Sequence, residues 1–133
     1  MAKKTLLVLL FGIVSLAAAG CGKGENDTTL QPQKAHLTGI HELYTLHVKK
    51  IQQPPTQLSD LTGEEFAGAY PEAVRGLKEG TYVVVLGVSD KGSGTVLAYE
   101  KDAPTQGGVV LMADGTVKMM SAAEFQAAAK VQK

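Results

Sequence analysis

The apolar positions of the chain change period three times. Leu6 to Leu16 (LLVLLFGIVSL) is one apolar run broken only by Gly12 and Ser15. From Ala35 to Gln52, the residues Leu37, Ile40, Leu43, Tyr44, Val48 and Ile51 recur at steps of three and four. That spacing predicts a helix of about five turns with a single apolar stripe. Pro54-Pro55 stops it, because proline lacks the N–H and clashes with the preceding turn. Leu58, Leu61 and Phe66, set among Thr56, Ser59 and Thr62, predict short helical turns interrupted by Gly63 and Gly68. A second short helix is expected to open at Pro71 and close at Gly80 after Lys78.

The next forty residues are short apolar runs separated by turn residues, which predict four strands: Thr81–Val88, Thr95–Lys101, Gly108–Ala113 and Thr116–Met120. Asp114-Gly115 is a two-residue hairpin signal, read as a type I′ turn with positive φ at both positions. Neither Ser89–Gly94 nor Asp102–Gly107 is long enough for the crossover of a parallel unit, so a meander is the economical topology. Ser121-Ala122-Ala123-Glu124 has the form of a capping box opening a helix through about Val131, with Phe125 and Ala128 on one side. Helices and strands are segregated, so the expected class is α+β. A long first helix packs on a four-stranded antiparallel meander, with short helices between and a short helix at the end.

Ahead of this domain, Lys3 and Lys4, the apolar run and the small residues Ala17 to Gly20 follow the order of an export signal. The run is shorter than the roughly 20 residues a spanning helix needs, so it reads as a cleaved leader. Cys21, the only cysteine, stands directly after Ala18-Ala19-Gly20, and this arrangement resembles the lipobox of bacterial lipoproteins. The resemblance implies cleavage between Gly20 and Cys21 and a lipid on the Cys21 sulfur. A plain secretory signal with an incidental thiol is the alternative. An unpaired cysteine in an oxidising compartment is unusual, which favours the lipid. Residues 1–20 are thus expected to be a signal peptide. Residues 21–33 would be the lipidated cysteine and a tether too polar to repay ordering, and 34–133 one domain.

Charge narrows the function classes. The 13 basic residues lose Lys3 and Lys4 with the leader, leaving 11 against 13 acidic ones. No basic patch with interleaved aromatics is present, so nucleic acid is not an expected partner.

The search for chemistry is sparse. His41-Glu42-Leu43-Tyr44-Thr45 starts like HExxH, but Thr45 stands where the second zinc ligand belongs. His36 and His47 share a helix face, yet about 16 Å of rise separates them. All three histidines read as half-exposed helix residues. The glycine-rich Ser89–Gly94 lacks the P-loop spacing and precedes a strand, so it reads as a hairpin loop. No serine occupies a G-x-S-x-G elbow. Glu64-Glu65, or Asp90 with Asp102, match no EF-hand loop, and Met112, Met119 and Met120 read as core or surface residues rather than soft-metal ligands. No catalytic residue, metal site or cofactor is expected.

Two stretches carry a further resemblance: LYTLHVKKIQQPPTQLSDL at Leu43–Leu61 and TVLAYEKDAPTQGGVVLMADGTVKMMSAAEF at Thr95–Phe125. They resemble the head domains of type II secretion pseudopilins, especially the pseudopilin-like proteins of planctomycete-type bacteria. The likeness spans about Thr38 to Phe125. Gly107, Gly108, Asp114 and Gly115 match its closing turn motif, although Pro104 stands where a related pattern has histidine. A lipobox occupies the place of the prepilin cleavage motif and assembly helix, which argues against polymerisation. The resemblance implies a non-enzymatic interaction domain on an exported lipoprotein, accessory to type II secretion or a pilus-like system, with an envelope protein as partner. The lipid anchor would make the membrane a second partner. Gly22 lacks the aspartate that marks inner-membrane retention in some systems, which favours the outer membrane, facing the periplasm. The alternative is a periplasmic ligand-binding or enzymatic domain with a pocket between the first helix and the sheet, to which Tyr44, Tyr82 and Tyr99 supply polar tips.

Overall fold

In a computed structural model, which describes residues 30–89 and 94–129, the chain is an α+β domain. Helix α1 runs Gln31–Ile51, followed by a 3-10 turn at Leu58–Asp60, α2 at Glu64–Ala69 and α3 at Pro71–Glu79. Strands β1 (Tyr82–Val84) and β2 (Val96–Glu100) lead to a short α4 (Ala103–Gln106). Then come β3 (Gly108–Met112), β4 (Val117–Met120) and α5 (Ala122–Ala129). The sheet order is β1-β2-β3-β4 with every pair antiparallel, the expected meander.

Helix α1 begins four residues ahead of Ala35 and takes Gln31–Gln33 out of the expected tether. Pro32 falls in its first turn, where a missing N–H costs no helical bond, and Leu30 packs against the core. Its buried stripe is Leu37, Ile40, Leu43, Tyr44 and His47. Ile51 does not continue it and is 51% exposed, because it lies in the last position of the helix. Where α1 crosses α3 the backbones approach closely: a Cβ on Gly39 would stand 3.0 Å from the Ala73 Cβ. Alanine there needs the two helices to separate.

All five residues of β3 are buried, and its side chains alternate between two cores. Val109 and Leu111 join α1 and α3 on one face, with Leu37, Ile40 and Leu43. Val110 and Met112 join Val96, Ala103, Met120 and Phe125 on the other. A strand covered on both faces reads as a continuous apolar run, which is why Val109–Met112 shows no polar alternation. In β2 the register shifts between Val96 and Ala98, so Leu97 is an extra residue in the strand. Val96 therefore serves the α5 core while Leu97 and Ala98 both serve the α1 core.

Three local expectations are corrected. β1 stops at Val84 instead of Val88: the Val85 N–H still donates to Leu97, but Gly87 turns away with φ +75° and donates to the Pro55 carbonyl. The Asp102–Gly107 connection holds α4, which ends at Gly107 with φ +78°. The β3–β4 turn is not type I′, because among the described residues outside glycine only Gln52 has positive φ. Gly115 N–H donates to the Met112 carbonyl over Ala113 and Asp114, Met112 N–H donates to Thr116, and Gly115 has φ +92°. This is the three-residue hairpin loop with a glycine bulge, in which one left-handed position suffices. The Ser121–Glu124 capping box forms as expected: Ser121 N–H donates to Glu124 at 2.7 Å and Glu124 N–H to Ser121 Oγ at 3.2 Å.

Candidate functional site

A cavity of about 550 Å3 opens beside the second half of α1. Buried Leu97, Tyr44 and Ala113, with half-buried Val48 and Val88, make its floor. His41, Lys49, Gln52 and Asp114 stand around its mouth. The position follows from three local breaks: the helix end at Gln52, the turn-away of the chain after β1, and the β3–β4 hairpin.

Three polar groups at this floor are already paired. Tyr44 Oη donates to the Val88 carbonyl at 2.9 Å, Val85 N–H to the Leu97 carbonyl at 2.7 Å, and Ala113 N–H to the Thr95 carbonyl at 2.8 Å. Burial pushes the Tyr44 phenol above its ordinary pKa. At the mouth, Asp114 Oδ1 accepts the Thr116 N–H at 2.9 Å, and this bond holds its carboxyl below the ordinary aspartate range. His41 lies under the hairpin: a Cβ on Gly115 would stand 3.1 Å from His41 Cε1.

Of the three tyrosines expected at a helix–sheet pocket, only Tyr44 lines this one. The Tyr82 hydroxyl is hydrogen bonded to His36 Nδ1 at 3.1 Å, and burial followed by the Glu100 charge pushes its pKa up. Tyr99 lies on the opposite face of the sheet, edge-on to Phe125 with ring centroids 4.6 Å apart. The histidines are spread along the helix. His36 and His41 are half-buried as expected, but His47 is buried, its Nδ1–H donating to the Asp60 carbonyl at 3.2 Å. A carbonyl can only accept, so that nitrogen carries the proton. His47 escaped sequence reasoning because a polar residue was not counted in the apolar stripe, although it stands seven residues after Ile40 and four after Leu43.

The turn motif residues divide between two places. A Cβ on Gly107 would come 2.8 Å from the Met120 carbonyl, and one on Gly108 would come 2.7 Å from Glu100 Oε2. That Glu100 oxygen accepts the Val109 N–H at 2.7 Å, so Gly108 makes room for a carboxylate that caps the start of β3. Asp114 and Gly115 shape the hairpin at the cavity mouth. Gly20, Cys21 and Asp90 lie outside the described residues. Among the described residues, no three histidine, cysteine or acidic side chains gather as a metal site, and no helix is long and apolar enough to cross a membrane.

A second, shallower groove of about 380 Å3 runs between α1 and α2 past Leu46 and Phe66. The Lys50–Glu65 ion pair, 2.9 Å long and well exposed, closes its side. Exposed pairs of this kind contribute about 0–1 kcal/mol. No protein-family model, curated protein or solved structure matches the chain.

Proposed function

We propose that the chain is an exported lipoprotein held to a membrane through Cys21, whose domain is a non-enzymatic interaction module in the cell envelope. The export and anchoring part rests on Lys3-Lys4, the apolar run and Ala18-Ala19-Gly20-Cys21. A long helix on a four-stranded meander supports the pseudopilin-like reading and an accessory role in type II secretion or a pilus-like system. The observation that carries the interaction role is the placement of exposed apolar side chains. Ile51, Leu58 and Leu86 are each exposed by a third or more. They flank Pro55, to which the segment after β1 is joined by the Gly87 N–H bond. All three stand at the end of α1 opposite the entry of the tether, about 30 Å away along a 21-residue helix. An anchored domain would present that end away from its membrane.

Two measurements test the two parts. Incorporation of labelled palmitate is expected in the native protein and absent from Cys21→Ser. Label that survives the change removes Cys21 as the lipid site. A photo-crosslinking residue at Leu58 in intact cells is expected to yield one envelope protein, with no product from the same residue at Glu79. Equal products from both positions would reject this surface.

The cavity favours a second reading, a small-ligand site, since pockets of roughly 300–1,000 Å3 with apolar walls and a few polar groups are the usual form of such sites. A thermal-shift screen of small amphiphiles that raised no melting temperature would reject it.

A further inference from the structure

We infer that the cavity takes a single-chain amphiphile with an anionic head, its hydrocarbon chain against Val48, Leu97 and Ala113 and its head at Lys49. This rests on the small-ligand reading of the cavity and names its ligand class.

The floor decides the body of the ligand. The Tyr44 hydroxyl, the Leu97 carbonyl and the Ala113 N–H each have an internal partner. A polar molecule placed there would lose its water and meet few free donors or acceptors, at a cost of about 1–3 kcal/mol for each unpaired group. A hydrocarbon chain loses nothing. At roughly 30 Å3 per carbon, the share of liquid volume that a water of similar size takes, the cavity of about 550 Å3 holds about 18 carbons, room enough for a sixteen-carbon chain.

The mouth decides the head. Lys50, the next residue to Lys49, is paired with Glu65, and the ionised Asp114 carboxylate at the same opening has its Oδ1 tied to the Thr116 N–H within the hairpin. Among the described residues lining the opening, Lys49 is the basic one, and its side chain is exposed. His41 lines the same opening, its ring against Gly115 of the hairpin. A carboxylate or similar anion above the chain would be matched there by the Lys49 ammonium.

The test uses protein purified from cells expressing the full chain, illuminated with a palmitic acid bearing a diazirine in its chain or with the corresponding hexadecanol. Adducts are mapped by peptide mass. Palmitic acid is expected to label the peptides containing Val48 and Leu97 about threefold to fivefold more than the alcohol, the discrimination of one partly screened ion pair. Lys49→Glu, a change at an exposed position, should remove that preference and leave labelling by the alcohol in place. Thr45→Trp, which fills the cavity from its half-buried wall, should abolish labelling by both. Equal labelling by acid and alcohol in the native protein overturns the anionic-head assignment and leaves a ligand pocket standing. No enrichment at these peptides, or labelling unchanged by Thr45→Trp, overturns both.

Discussion

The two faces of the sheet are covered by very different means. On one, a 21-residue helix crosses the strands and joins α2 and α3 in a core that includes fully buried Leu37, Ile40, Leu43 and Leu61. On the other, a four-residue α4 and an eight-residue α5 cover only Val96, Ala103, Val110, Met112, Met120 and Phe125. The large face is built from residues more than forty positions apart in the chain; the small face is nearly contiguous, from Val96 to Phe125. Long-range packing fixes the domain, and a short local segment closes the remaining side. Because β3 supplies both cores, neither face forms without it.

Truncation tests that division most directly. Leu111→Ala, in the fully buried strand on the α1 side, is expected to cost about 3–4 kcal/mol in urea unfolding, within the range for buried leucine. Phe125→Ala should cost about 3 kcal/mol, the low end for a buried phenylalanine, because α5 covers only an end of the sheet and can settle after the loss. If Phe125→Ala proves the costlier, the ranking of the faces is reversed. Hydrogen exchange sharpens the same contrast: amides of α5 should open well before those of α1 at Leu43 and Tyr44.

Smaller effects probe the turns. Gly115→Ala places a side chain at φ +92° and crowds His41, so a loss of about 1–2 kcal/mol is expected, with the His41 ring resonances shifted in NMR spectra. Ser121→Ala removes the capping bond to Glu124 N–H and should cost about 1 kcal/mol, confined to α5. Calorimetry of either variant showing no change would mean that these ends do not limit stability.

The smallest expected effect is on acid sensitivity. Asp60 is held below its ordinary pKa first by the Thr56 N–H, Asp114 by the Thr116 N–H and Glu124 by the Ser121 N–H. A carboxyl whose folded pKa is depressed adds stability above its unfolded value and loses it as pH falls through the folded one. All three contributions are therefore complete at neutral pH and fade below roughly pH 4, the ordinary carboxylate range. Urea midpoints should fall across that window, less steeply in Asp60→Asn. A midpoint that rose with acid would contradict the sign.

Much of this architecture was legible because the strands are short, valine-rich and bounded by turn residues, and because α1 carries leucines at helical spacing. Three features were hidden for identifiable reasons. α4 is four residues long and contains Pro104, too short for any periodicity. Asp114-Gly115 is compatible with both two- and three-residue hairpins, and the choice lies in Ala113 joining the loop instead of pairing. The cavity depends on where chain segments diverge after Gln52 and Val84, which local pattern does not encode. Tyr44 was placed at the site because it sits on the α1 stripe facing the sheet. Tyr99 was misplaced because strand alternation does not show which face holds a hollow, whereas Tyr82 faces α1 as expected but meets it at His36, toward the helix start and away from the cavity.

Leu97 sets an unusual rule for change in this sheet. A strand without that extra residue would pair regularly, with Val96 still opposite Met112, Ala98 opposite Leu111 and Tyr99 opposite Val110, so the side chains on either side would keep their faces. In a regular strand a lost residue sends every later side chain to the opposite face. At the bulge a deletion would instead remove one leucine from the α1 core and the cavity floor, so β2 can change length there without rewriting which half of the molecule its other positions belong to.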